Sequence, residues 1–216
     1  MAVDKALRLS ELVCSRLCHD ISGLLSALEG TLQLLDDGAG IRYDALIASV
    51  EGAKELSRRV RLLREAWAQA EPLDAARLDE LASGLPGAHR MKLDMSMFPP
   101  DWSMTAPMGR MVLNVLLLAS ESLPRGGSVF LTPGPQTSDV IVRIDGPRAR
   151  WPAGLVASLV DDTALWDALA APQQLMPSLV ALLSRDLGIR VTVLMPAGRA
   201  PRAAPPLLLS PLPAVA

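Results

Sequence analysis

Apolar positions in the first part of the chain recur in steps of three and four. From Asp4 to Leu35 one row runs through Leu7, Cys14, Ile21, Leu28 and Leu35, and a second through Cys18, Leu25 and Leu32, with Glu11 at its head. This heptad spacing predicts a helix packed lengthwise on other helices. "DDGAG" then supplies helix-stopping glycines and a short loop. A second helix is predicted from Tyr43 to Ala70. Leu46, Ala53, Val60 and Trp67 make one of its rows, Leu56 and Leu63 help fill the other, and Lys54, Arg58, Arg61 and Arg64 form a basic face. Two long amphipathic helices joined by a short loop make an antiparallel hairpin. A lone hairpin cannot bury so wide an apolar stripe. Two hairpins can, as a four-helix bundle, so the pattern predicts a homodimer unless the rest of the chain covers the seam.

After "EPLDA" the periodicity changes. Ala75 to Ser83 reads as a short helix ended by Gly84 and Pro86, and "HRMKLDMSM" alternates like a strand. Met108 to Leu123 is an apolar helix closed by "PRGG". "SVFLTP" and "DVIVRID" read as paired strands, the first of them short. "WPAGLVASLVDD" and "QQLMPSLVALLSRDLG" are helical, with Pro177 interrupting or starting the second, and "IRVTVLMP" is a further strand. Mixed in this order, the elements predict a small α/β sandwich, and the whole chain an α+β fold. The expected division is a helical hairpin over 1–71, the sandwich over 72–196, and a Pro/Ala-rich tail over 197–216 that is loose or adds "PLLLS" as an edge strand.

Composition narrows the function classes. The net charge is −2 and aromatic residues make up 3% of the chain. Neither a general field for nucleic acid or anionic membrane nor a base-stacking surface is therefore expected. The longest apolar run, "MVLNVLLLA", is too short to span a bilayer, and the N-terminus carries no apolar signal core. The expectation is a soluble cytoplasmic protein. Cys14 and Cys18, four apart on one helix, are expected to be buried, reduced thiols.

Candidate chemistry centres on "LCHDISG". The chain has two histidines, His19 and His89. Helix neighbours lie three and four residues away, which for His19 means Ser15, Arg16, Ser22 and Gly23, with Ser26 one turn further on. None is large and apolar, and the seam points elsewhere, so His19 is expected in solvent rather than in the core. Cys14, Cys18 and His19 make a poor metal site, because adjacent helical residues diverge by roughly 100° and no fourth ligand is evident. Two readings remain, a decorative surface histidine and a nucleophile that titrates near neutrality. Small neighbours let a partner's active site approach, as in-line phosphoryl transfer requires. Asp20, if it is not simply solvated, is placed to accept a hydrogen bond from one ring nitrogen and leave the other free.

"LVCSRLCHDISGLL" resembles the phosphoacceptor helix of ChpT-type histidine phosphotransferases, which act in bacterial phosphorelays. The resemblance covers most of the chain. It implies a dimerising helical hairpin followed by a domain like the ATP-binding domain of histidine kinases. It also implies that His19 takes a phosphoryl group from the receiver domain of a hybrid histidine kinase and passes it to receivers of response regulators. His19 matches the acceptor, Asp20 the acidic residue after it and Arg16 the arginine before it. Gly23 and Leu24 stand where the family usually has a proline. Any Mg²⁺ belongs to the partner receiver, and no cofactor of the chain's own is expected.

The same comparison bears on an ATP-dependent kinase. "LLLASESLPRGG" resembles the asparagine box of such kinases, but Leu118 stands where the Mg²⁺-binding asparagine is expected. "DGPRAR" replaces the aspartate-any-glycine-any-glycine box, and "QQLMPSLV" the glycine-leucine repeat. Gly126 and Gly127 read as a turn between a helix and a strand. A phosphotransfer protein that does not use ATP is expected. The alternative is a non-catalytic dimeric scaffold or kinase regulator.

Overall fold

The computed structural model describes residues 2–36, 42–68, 71–171, 174–195 and 204–213. Most of the predicted "DDGAG" turn, 37–40, lies outside them. Helix α1 (Ala2–Asp36) and helix α2 (Arg42–Trp67) form the expected hairpin. It is antiparallel: Ser49 Oγ lies 2.9 Å from Thr31 Oγ1, and Gly52 faces Leu28, so rising numbers on one helix meet falling numbers on the other. Small residues (Ala45, Ser49 and Gly52) line this contact and let the two helices come close.

Much of the heptad rows lies outside the interior of this pair, although Leu28 packs on Gly52 and Leu63 is buried. Leu7, Leu25, Leu32, Leu46 and Val60 are exposed, as are Tyr43, Ile47 and Val50. Cys14 and Cys18, expected to be buried, are exposed as well. Neither thiol is covered within the single chain, which has no second hairpin to lie over them. A further row on α1, not seen in the periodicity, does bury residues. Leu12 packs with Leu165, Leu169, Leu175 and Ala181, with Leu9 and Val13 alongside.

The remainder is a two-layer sandwich. Strand β1 (Leu73–Asp74) pairs with β3 (Ser103–Met104) in a small ribbon. The main sheet contains β2 (Met91–Asp94), β4 (Gly127–Pro133), β5 (Val140–Asp145), β6 (Ile189–Val193) and β7 (Leu207–Pro211), in the order β2-β4-β5-β7-β6. Only β2 and β4 are parallel neighbours; the other pairs are antiparallel. Val129, Leu131, Val140, Val142, Ile144, Ile189, Val191, Leu207 and Leu209 are buried at alternate positions, so one sheet face carries the core. Helices α3 (Ala75–Ala82), α4 (Ala106–Ser122), α5 (Leu155–Val160), α6 (Asp162–Ala168) and α7 (Leu175–Asp186) complete the domain. Pro177 starts α7 rather than interrupting it, because a first-turn residue needs no intrahelical N–H bond. Strand β4, expected to be the shorter of its pair, is the longer.

The C-terminal tail needs the larger correction. "PLLLS" is neither loose nor at an edge: β7 lies between β5 and β6 and pairs with both. Leu207 and Leu209 are fully buried there, so the sandwich extends past 196 to Pro211. Helix α4 is buried almost all round because the sheet covers one side and the end of α2 another. Its Asn114 donates to the carbonyls of Ala66 and Arg110 at 2.9 Å each and accepts from Trp67 Nε1 at 3.1 Å.

Candidate functional site

His19 lies in the middle of α1 with 85% of its side chain exposed. Ser15, Ser22, Gly23 and Ser26 around it are exposed too, as expected from their spacing. A Cβ added at Gly23 would meet nothing within 4 Å. The imidazole therefore stands on a smooth, open strip of helix where another protein surface can approach it from outside.

Behind this strip the charges are ordered. Nδ1 of His19 lies 3.3 Å from Oδ1 of Asp20. Of the two ring tautomers, the one with its hydrogen on Nδ1 can donate to this carboxylate and leaves a lone pair on Nε2. Asp20 itself is 13% exposed, not the solvated carboxylate its diverging direction allowed. Nε of Arg16, one turn earlier, donates to both Asp20 oxygens at 3.1 and 3.0 Å. Nη2 of Arg16 reaches Oε1 of Glu121, in the last turn of α4, at 2.8 Å. Arg59, on α2 and nearly fully buried, places Nη1 4.0 Å from Oδ2 of Asp20 and donates from Nε to the Gly84 carbonyl at 2.6 Å. Two arginines thus balance two carboxylates beneath the histidine.

The electrostatics follow from burial and pairing. Burial pushes the Glu121 carboxyl above the ordinary glutamate value, assisted by repulsion from Asp20 and opposed by Arg16. Burial also works against the Arg16 charge, but Glu121 and Asp20 outweigh it, and its pKa is raised. At Arg59 burial dominates and the pKa is lowered, although Asp20 and Glu55 oppose the shift.

Arg16 therefore differs from its expected place on the docking face. It is 29% exposed and engaged by both carboxylates, so its guanidinium points inward instead of lying free beside His19. Sequence reasoning missed Arg59 and Glu121. Arg59 sits in "SRRVRLLRE" among arginines that do form a solvated face, and no local pattern marks it as the buried one. Glu121 offered a weak signal, an acid at the end of a strongly apolar helix. Among the described residues no cluster of three or more His, Cys, Asp or Glu side chains is placed to hold a metal ion, and no helix is long and apolar enough to cross a membrane. His89 lies in an exposed 3-10 turn, Ala88–Arg90, outside this network.

The sites compared with kinase nucleotide boxes have structural occupations. Leu118 is fully buried in the core. Gly126 and Gly127 have φ of +76° and +149°, and a side chain at either would strike backbone: the Arg90 carbonyl for the first, the Asp145 carbonyl for the second. They form the turn from α4 into β4, where neighbouring backbone leaves no room for a Cβ.

The sequence matches the family model of the histidine phosphotransferase C-terminal domain over residues 75–199. Protein phosphotransferase ChpT of Brucella abortus (strain 2308) is 25% identical over 194 residues, which cover 87% of this chain and 90% of that protein. The solved structure of a bacterial phosphotransferase aligns with a TM-score of 0.71 at 22% identity, covering 95% of this chain and 97% of the other. That likeness extends to the hairpin and the sandwich together, and it concerns the fold.

Proposed function

This chain belongs to the histidine phosphotransferase family, and from that premise we propose that His19 is a phosphoacceptor that shuttles phosphoryl groups between aspartates of receiver domains. Membership supports a phosphorelay role at the level of the family. The observation that carries the finer reading is the exposed His19 ring with Nδ1 turned to Asp20 and Nε2 left free. Nε2 attacks the phosphorus of a receiver's aspartyl phosphate, forming the N–P bond as the P–O bond breaks. The electron pair leaves with the aspartate. Asp20 stabilises the positive ring that results, and a second receiver's carboxylate takes the group in the reverse step. The receiver supplies the Mg²⁺ that offsets charge on the phosphoryl oxygens. The upstream donor in this reading is a hybrid histidine kinase and the acceptors are response regulators.

The functional unit in this proposal is a cytoplasmic homodimer. The exposed apolar rows of α1 and α2 suit burial against a second hairpin in a four-helix bundle. The sandwich carries out no ATP-dependent autophosphorylation, since Leu118, Pro147 and Ala149 occupy the places of the kinase's metal-binding asparagine and box glycines. The test is incubation with a ³²P-labelled phospho-receiver. The expected result is label on the wild type that is lost in acid and kept in base, as for a phosphohistidine, and none on His19→Ala. Equal labelling of the two would leave a scaffold in which His19 has no chemical part.

A further inference from the structure

Arg16 is held from two sides. Its Nε contacts Asp20, on its own helix, and its Nη2 contacts Glu121, which comes from the sandwich. The Nη2 contact is an ion pair at 2.8 Å that is not aligned as a hydrogen bond, so Glu121 draws the guanidinium toward the sandwich by charge. The Glu121 side chain is 26% exposed, so the bridge removes a carboxylate largely from water, a cost that a surface ion pair avoids. The same carboxylate lines an open cavity of about 510 Å³ with Ser122, Arg148 and Arg150. Glu121 is thus the side chain by which the sandwich touches the ordered charges under His19.

We propose that Glu121 is a positioning residue for phosphoryl transfer at His19: through Arg16 it holds the Asp20 carboxylate against Nδ1, so that Nε2 is the nitrogen that accepts. This inference rests on the reading of His19 as the phosphoacceptor. Throughout the transfer the Nδ1 hydrogen stays on the ring. If Asp20 swings away, the neutral imidazole is free to move its hydrogen to Nε2, and in that tautomer Nε2 has no lone pair to attack with. The contact at 3.3 Å is long, and small displacements of Asp20 suffice to lose it. The sandwich, lacking kinase boxes, then has a direct task in the chemistry.

Two variants and two readouts decide this. Glu121→Gln keeps the shape and removes the charge. The double variant Arg16→Glu/Glu121→Arg keeps an ion pair between hairpin and sandwich but places a carboxylate beside Asp20. The tautomer is read by ¹⁵N NMR of the unphosphorylated protein, with His89→Ala to assign the other ring. Transfer is read as saturation kinetics with a phospho-receiver. Expected are an Nδ1–H ring in the wild type and a mixed tautomer in both variants. Maximal transfer should fall roughly tenfold or more, while the KM for the receiver stays within about twofold because the docking strip is untouched. Wild-type tautomer and rate in Glu121→Gln would overturn the proposal, as would full transfer by the double variant, which would make the bridge merely structural. A wild type that is never labelled, yet shows an Nδ1–H ring that Glu121→Gln loses, would instead overturn the phosphoacceptor reading and leave the positioning network in place.

Discussion

The indole nitrogen of Trp67 donates to Oδ1 of Asn114 at 3.1 Å, while Nδ2 of the same asparagine donates to the carbonyl of Ala66. One fully buried side chain thereby fastens the last turn of the hairpin to the central helix of the sandwich. Asn114→Leu keeps the branching at Cγ but leaves the Trp67 N–H and the Ala66 carbonyl without this partner. A loss of about 2–4 kcal/mol is expected, since buried polar groups left unpaired cost about 1–3 kcal/mol each. Urea unfolding checks this, and a loss below about 0.5 kcal/mol, the range of neutral surface substitutions, would mean that this asparagine adds nothing to the joint between hairpin and sandwich.

Charges placed in the exposed heptad rows should separate the proposed dimer. Leu25 is 43% exposed in the single chain and lies on a row that the hairpin itself does not cover. Leu32, next on that row, is 48% exposed, and Leu25→Glu with Leu32→Glu would bury unpaired carboxylates at a four-helix interface, at a cost of several kcal/mol. Light scattering should show a dimeric wild type and a monomeric, still helical variant. A folded wild-type monomer would remove the bundle from the reading.

Mg-ATP should give no specific heat in calorimetric titration. Leu118 is packed into the core, and the glycines near it are committed to a tight backbone turn, which leaves no Gly-rich cradle for a triphosphate. Micromolar binding, or labelling from ATP alone, would show that the sandwich holds nucleotide by other groups.

The heptad rows were legible in the sequence because seam residues obey a local period whether or not their partner is present. That same period misassigned Cys14 and Cys18: it marks a face to be covered and does not say that a single chain covers it. The exposed strip of Ser15, Ser22, Gly23 and Ser26 was legible for the same local reason. The Arg16–Glu121 bridge was not, because it joins residues of α1 and α4 that are brought together only by packing. Strand β7 was visible as an apolar run, but its place between β5 and β6 depends on the order of strands in the sheet, and C-terminal position in the chain does not determine that order.

Glu121 predicts a pH dependence of stability with a definite sign. Burial raises its carboxyl pKa in the folded protein, so the folded state holds this proton more tightly than the unfolded chain. The contribution is fully present below the ordinary glutamate value and is lost as pH rises through the raised folded value. Arg16 and Asp20 face the group directly, and Arg148 and Arg150 line the same cavity. Across this interval the stability of the wild type relative to Glu121→Gln should fall with rising pH and then level off toward neutrality. Paired urea titrations measure it, and a difference that rises with pH would reverse the assignment.

Gly23 separates the docking surface from the fold. It lies one turn beyond His19, exposed, and space around its absent Cβ is open. Glycine inside a helix costs about 0.5–1 kcal/mol relative to alanine, so Gly23→Ala should stabilise the hairpin by about that amount and leave transfer nearly unchanged. Gly23→Leu should fold and dimerise equally well, since leucine is also a good helix former. Its larger side chain would nevertheless stand where a receiver's phosphoryl group must come into line with Nε2, and displacement by about 1 Å is enough to cost roughly a hundredfold in such a reaction. Transfer from a phospho-receiver should therefore drop sharply in Gly23→Leu while thermal unfolding shows no loss of stability. Normal transfer in that variant would place the receiver on another face of the helix, and together with normal labelling of His19→Ala it would leave His19 as an ordinary surface histidine.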